Sequence, residues 1–273
     1  MPFSSLAWFD RFVPKDPGAR LIASDLAYGP NRRHRLDLYA PSRSAGPLPL
    51  CIFVYGGGWN AGTRAEYHFA GRTFAGLGFL AAVLDYRVFP EVEFPGFVDD
   101  LGRAAGWLIA HAATYGGDPN RFVLAGHSAG AYNAVMLGLD PARFGAPELS
   151  GRIAGVVGLS GPYDFYPFDV KESIEAFGRS PEPERTQPIN LVTPAAPPML
   201  LAHGVADKVV GDYHTVRLSK TLRAAGVPVT ERHYPGLGHE PLILGLARPL
   251  RRVLPVYGDV AAFLSARVNQ TAR

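Results

Sequence analysis

Apolar and polar positions along the chain fall into short runs of two kinds that take turns. His34-Arg35-Leu36-Asp37-Leu38-Tyr39 alternates at period two and predicts an early, half-exposed strand. Residues 48–55 and 79–84 are continuous apolar runs, the pattern of strands buried on both faces. Further strands are predicted at 122–125, 153–159, 199–202 and 227–234. Helical spacing or composition marks 97–115, 131–137, 212–225 and 258–268, and Gly116-Gly117-Asp118-Pro119 is a helix-stop and turn signal behind the first of these. Strands alternating with helices predict an α/β protein, a mostly parallel central sheet flanked by helices. Residues 161–198 break the rhythm with prolines and aromatics, among them Tyr163, Phe165, Tyr166 and Phe168. An insertion of this length between strands reads as a small cap or lid on a single domain spanning residues 1–273.

Composition narrows the class. A chain of 273 residues, 47% hydrophobic and 19% charged, suits one large globular domain and excludes a disordered or fibrous one. The net charge of +3 comes from scattered residues, and the adjacent pairs Arg32-Arg33 and Arg251-Arg252 read as solvated surface. With no basic stripe interleaved with aromatics, a nucleic-acid partner is not expected. The single cysteine, Cys51, excludes an internal disulfide and a multi-cysteine zinc site, and its apolar neighbours make it a small core hydrophobe. Residues 1–13 lack a signal-peptide layout, and the longest apolar run, around 79–84, is too short to span a bilayer. The expectation is a cytoplasmic protein with no membrane partner, its oligomeric state open.

Candidate chemistry centres on Gly126-His127-Ser128-Ala129-Gly130, placed between the strand-like 121–125 and the helix-like 131–137. A serine on a strand-to-helix turn takes a strained backbone that presents its hydroxyl, and the helix start supplies free N–H groups beside it. Such a nucleophile needs a base, a group that orients the base, and donors for the oxyanion. His239, in the loop Gly236-Leu237-Gly238-His239 after the last predicted strand, is the best placed of the eight histidines. His203, His214 and His233 read as structural, and His127 as packing locally. Asp207, on the loop after 199–202, fits the orienting acid; its competitor Asp212 is better suited to capping the helix that follows it. Oxyanion donors are expected from the N–H of Ala129 and from the loop Tyr55-Gly56-Gly57-Gly58-Trp59, which lacks both the phosphate-loop and the dinucleotide spacing. No metal and no cofactor is called for.

These stretches, with Asp85-Tyr86-Arg87, Phe94-Pro95 and Tyr115-Gly116-Gly117-Asp118-Pro119, resemble the α/β-hydrolase superfamily, and within it the hormone-sensitive-lipase-like esterases. The opening Leu36-Asp37-Leu38-Tyr39-Ala40-Pro41 is similar to bacterial feruloyl-esterase-like and arylformamidase-like hydrolases. The resemblance implies an α/β-hydrolase fold with Ser128 as nucleophile, His239 as general acid/base, Asp207 as its orienter, and Gly57, Gly58 and Ala129 as the oxyanion hole. One position departs: Tyr55 stands where the family motif has histidine, which is expected to bear on ester preference. Trp59, Tyr163, Phe165 and Tyr166 are candidate substrate-binding walls and suggest short-acyl or aryl esters. The expected activity is that of a cofactor-free serine carboxylesterase acting on a small-molecule ester. An arylformamidase-type amidase using the same triad and a non-catalytic binding protein on a hydrolase scaffold are the alternatives.

Overall fold

The computed structural model describes residues 5–268; residues 1–4, part of the N-terminal segment read above for a leader, and 269–273 lie outside it. Its centre is one eight-stranded sheet: β1 (Ala19–Ala27), β2 (Arg35–Pro41), β3 (Leu48–Val54), β4 (Leu80–Leu84), β5 (Gly117–His127), β6 (Ile153–Leu159), β7 (Met199–Gly204) and β8 (Val229–Tyr234). The spatial order is β1-β2-β4-β3-β5-β6-β7-β8. β1 and β2 pair antiparallel, as do β2 and β4, and every pairing from β4 to β8 is parallel. Every residue of β3, β4 and β7 is buried, which is why these strands read as unbroken apolar runs.

Eight α-helices accompany the sheet among the described residues: α1 (Ser5–Phe12), α2 (His68–Gly76), α3 (Gly96–His111), α4 (Ala129–Leu139), α5 (Lys171–Phe177), α6 (Tyr213–Ala224), α7 (His239–Leu244) and α8 (Val256–Val268). All of α4 is buried, so it carries no polar face. None of the described helices is long and apolar enough to cross a membrane.

Several expectations change. β1 does not alternate in sequence because register shifts at Ala23 and Leu26 swap the faces of this edge strand. The turn predicted over 116–119 is confined to Gly116, in the left-handed region at φ 79°, while Gly117 and Asp118 already pair with Leu48 and Pro49 before a register shift. Asp212 sits at the N-cap of α6 but its side chain makes no capping bond, lying instead 3.7 Å from His233 Nδ1. The arginine pairs are not both solvated: Arg251 reaches Asp16 at 2.8 Å and Thr73 Oγ1 at 2.9 Å, and Arg33 turns inward as described below. Cys51 is fully buried in β3, as read.

Between β6 and β7 the chain forms α5 and two short 3-10 turns, Pro183–Thr186 and Pro188–Leu191. This segment is tied down at several points. Phe94 N–H donates to Ala176 O at 2.9 Å, Tyr132 Oη–H to Thr186 O at 2.6 Å, and Phe165 N–H to Gln187 Oε1 at 2.6 Å. Phe177 sits among Trp59, Tyr132, Phe97 and Phe165, with ring centroids 4.8–5.5 Å away.

Candidate active site

The parallel strands end on one edge of the sheet, and each candidate residue follows a strand there. Ser128 comes directly after β5, with φ 56° and ψ −126°, a conformation that costs a non-glycine residue on the order of 1–3 kcal/mol. Its N–H donates to Leu159 O at 2.8 Å, locking the elbow to β6. Gly130 makes the turn possible from the other side: a Cβ there would lie 2.1 Å from Val54 O and 2.4 Å from Tyr55 O, so only glycine lets α4 rest on the end of β3. That contact brings the free N–H of Ala129 beside the glycine loop. The Ser128 hydroxyl makes no hydrogen bond to a described residue.

Asp207 lies on the loop after β7, and its carboxylate is fully buried. Oδ1 accepts from the N–H groups of Val209 and Val210, each at 2.9 Å, and Oδ2 accepts from His239 Nδ1 at 2.7 Å. Burial alone would raise its carboxyl, but hydrogen bonds from His203, His239 and Val210 outweigh burial and hold it well below the usual carboxylate range. With Nδ1–H committed to Asp207, the neutral imidazole of His239 keeps its lone pair on Nε2, the nitrogen a general base needs. His239 is the first residue of α7, not a pure loop residue, with Gly238 extended before it.

Two further histidines support this pair. His203, fully buried at the end of β7, donates Nε2–H to Val210 O at 2.8 Å and holds the same nitrogen 3.4 Å from Asp207 Oδ2. His203 Nδ1 meets Thr215 Oγ1 at 3.0 Å, so the ring is fixed at both ends. His127 packs its ring 4.7 Å from that of His239 and donates Nε2–H to His239 O at 3.2 Å. Burial, and after it His239, pull the His127 imidazole down to about 3, so it is neutral. His203 lies four residues before Asp207, and its structural reading holds in that it braces the acid.

The glycine loop follows β3. Gly57 has φ 128°, and a Cβ there would lie 2.4 Å from Ala61 O, so the tight turn admits glycine alone. The N–H groups of Gly57 and Gly58 donate to no described residue, while Asn60 and Ala61 N–H close the turn onto Gly57 O at 3.1 and 3.0 Å. Tyr55 is fully buried beneath it, stacked between Tyr67 and Tyr86. Its hydroxyl donates to Asp85 Oδ1 at 3.0 Å and accepts from Arg33 Nη2 at 2.8 Å. Arg33 Nη2 also reaches Gly62 O at 2.9 Å, and Asp85 Oδ1 accepts from Arg64 N–H at 2.6 Å. Both Arg33 and Asp85 therefore join the start of the loop to its end. Arg64 extends the brace to Asp85, Asp37 and Asp25.

The candidate aromatic walls separate. Trp59 is 5% exposed and donates Nε1–H to Asn133 Oδ1 at 3.2 Å; Tyr163 is fully buried. Both pack the interior rather than line an open surface, since tryptophan and tyrosine bury large apolar area once a partner takes the polar atom or the ring is enclosed. Phe165 is half-buried against Trp59, and Tyr166, at 44% exposed, is the one of the four that faces solvent.

A mostly parallel sheet, an elbow serine after its central strand, and a His–Asp pair delivered by the last two strands together define an α/β hydrolase. The chain belongs to the BD-FAE family, which it matches over residues 36–222. It is 30% identical over 277 residues to isoprenylcysteine alpha-carbonyl methylesterase ICME of Arabidopsis thaliana, covering 92% of this chain and 64% of that protein. It is 32% identical to esterase LipC of Mycobacterium tuberculosis, covering 90% of this chain and 64% of that one. The chain thus spans less than two thirds of the length of these curated relatives. Among solved structures, esterase B from Lactobacillus rhamnosis has the same fold, with a TM-score of 0.85 at 18% identity over 97% of this chain and 93% of that one.

Proposed function

We propose that this chain is a serine carboxylesterase, cofactor-free, that hydrolyses short-acyl or aryl carboxylic esters through an acyl-enzyme. The observation that carries the reading is the 2.7 Å bond from His239 Nδ1 to the buried carboxylate of Asp207, across the site from an elbow serine. Membership of the BD-FAE family and the esterase names of the relatives support it.

In this reading His239 Nε2 takes the hydroxyl proton as Ser128 Oγ adds to the ester carbonyl. The resulting imidazolium is stabilised by Asp207. The oxyanion is held by the N–H groups of Gly57, Gly58 and Ala129, each such donor being worth about 10²–10³ in rate. Collapse of the tetrahedral adduct breaks the carbon–alkoxy bond as His239 returns its proton to the leaving alcohol. Water, deprotonated by the same imidazole, then adds to the acyl-enzyme and releases the acid and Ser128. Residues 161–198 serve as a small, fixed cap on this single domain, with Phe165 and Tyr166 nearest the substrate among the four aromatics.

A fluorophosphonate probe tests the nucleophile. Wild-type protein is expected to be labelled at Ser128, and Ser128→Ala to lose labelling together with roughly 10⁶-fold in kcat on p-nitrophenyl butyrate. Turnover by Ser128→Ala at the wild-type rate overturns the mechanism. Matched ester and anilide substrates separate an esterase from an amidase of the same triad, the ester being expected to react faster.

A further inference from the structure

Glu172 stands over the glycine loop and has no partner of its own. A Cβ built on Gly58 would lie 3.0 Å from Glu172 Cγ and 3.6 Å from its Cβ, so the stem of this side chain rests directly on the Gly58 backbone. Its carboxylate, one bond further out, is on the exposed side. On α5 and its flank Lys171 pairs with Glu175 and Arg179 with Glu93, while Asp169, two residues before the helix, makes no ion pair with a described residue and adds to the negative charge there. Glu172 makes no ion pair or hydrogen bond with a described residue.

Its place is also fixed. Phe177, on the same seven-residue helix, is fixed in the aromatic cluster around Trp59, which is itself part of the glycine loop. Ala176 O accepts the Phe94 N–H at 2.9 Å, and Ser173 Oγ–H closes the helix start onto Val170 O at 2.8 Å. The helix is thus fastened to the cluster that includes the loop's Trp59, which sets the Glu172 stem against Gly58, and its carboxylate is not spent on a protein cation.

We infer that Glu172 forms an anionic subsite beside the oxyanion hole, and that the esters this site favours carry a cationic group a few bonds from the scissile carbonyl. The inference rests on the esterase reading above. The physical reason is charge balance. An unpaired carboxylate beside the place where an oxyanion develops opposes that charge, and a substrate cation offsets it. Tyr166, Val170 and Ile174 are exposed apolar residues of the same segment.

The test compares ester pairs that differ only in charge. The p-nitrophenyl ester of 4-(trimethylammonio)butyrate is measured against that of 5,5-dimethylhexanoate, which has carbon in place of nitrogen. Choline and 3,3-dimethylbutyl phenylacetates make the same comparison on the alcohol half. For wild type, the cationic member of at least one pair is expected to have the higher kcat/KM, by about fivefold, the scale of one exposed charge pair. That ratio is expected to fall toward one in Glu172→Gln, to invert in Glu172→Lys, and to shrink with added salt in wild type. Unfolding midpoints of both variants establish that they are folded. Equal ratios in wild type and Glu172→Gln for both pairs overturn the subsite while leaving the esterase reading intact. Wild-type failure to cleave any of the four esters overturns both.

Discussion

The two walls of the site are built from different chemistry. On one side the glycine loop is held from below by guanidinium and carboxylate groups, Arg33, Arg64, Asp85 and Asp37, together with the Tyr55 hydroxyl, and each end of the loop is tied more than once. On the other side the acid and base are supported by imidazoles: His203 against Asp207, and His127 against His239. The first wall has to hold backbone N–H groups still, which redundant contacts do well. In the proposed mechanism the second has to pass a proton, and there each contact fixes one tautomer of one ring. Redundancy on one side and single-purpose contacts on the other predict unequal responses to mutation.

The largest effect belongs to the second wall. Asp207→Asn leaves a side chain of the same shape but removes the charge bonded to His239 Nδ1, which in the proposed mechanism stabilises the imidazolium. Its kcat is expected to fall about 10⁴-fold with KM little changed. Steady-state kinetics on p-nitrophenyl butyrate check this, and a loss smaller than tenfold would show that Asp207 does not orient the base.

This second wall is also the part the sequence exposes best. Ser128 and Asp207 each follow a strand whose apolar run is visible, and His239 follows the last predicted strand, so their place at one sheet edge follows from the alternation of elements. The glycine loop is visible for the same reason, because a run of three glycines after a buried strand has few other uses. Its brace is not visible. Arg33 precedes the loop by more than twenty positions and looks like half of an exposed basic pair, while Asp85 and Arg64 come from the end of β4 and from the far side of the loop. Nothing in their local spacing links them; the sheet order β2-β4-β3 does, by setting the ends of these strands side by side. β1 was hidden for a local reason, its bulges, and the buried fate of Trp59 and Tyr163 depends on how 161–198 folds back, which no periodicity encodes.

Tyr55 sharpens the contrast between the walls. The residue that departs from the family histidine was expected to bear on ester preference, yet its ring is sealed between Tyr67 and Tyr86 and its hydroxyl points into the brace. Burial, and after it the charge of Asp85, push that hydroxyl well above its ordinary value, so it stays a donor. In Tyr55→Phe, Arg33 still holds Gly62 O and Tyr86 O, and Arg64 still holds Asp85. The expected outcome is a loss of about 1 kcal/mol in stability and less than about tenfold in kcat, well short of removing an oxyanion donor. The order of rates across a p-nitrophenyl acyl-length series is expected to stay as in wild type. A changed optimum in that series would return Tyr55 to the specificity machinery.

The smallest effect on rate is expected from a pH dependence of stability on the imidazole side. His127 is pulled down to about 3 and His214 to about 4, in both cases by burial first and a neighbouring histidine second. His214 depends on being neutral, because its Nδ1 lone pair accepts the N–H groups of Tyr163 and Asp164 at 3.3 and 3.1 Å, fastening the start of the 161–198 segment to α6. For a histidine whose folded value lies below its unfolded one, the unfolded chain takes up the proton first. Its penalty is absent well above the ordinary histidine value of 6.5 and grows as pH falls toward the folded value. Between pH 7 and pH 5 each such imidazole removes about 2 kcal/mol of stability. In urea titrations at those two pH values, His214→Asn is therefore expected to start less stable than wild type but to lose about 2 kcal/mol less on acidification. Equal losses in the two proteins would mean that His214 is already protonated in the fold, and that its bonds to Tyr163 and Asp164 are not what holds the segment in place.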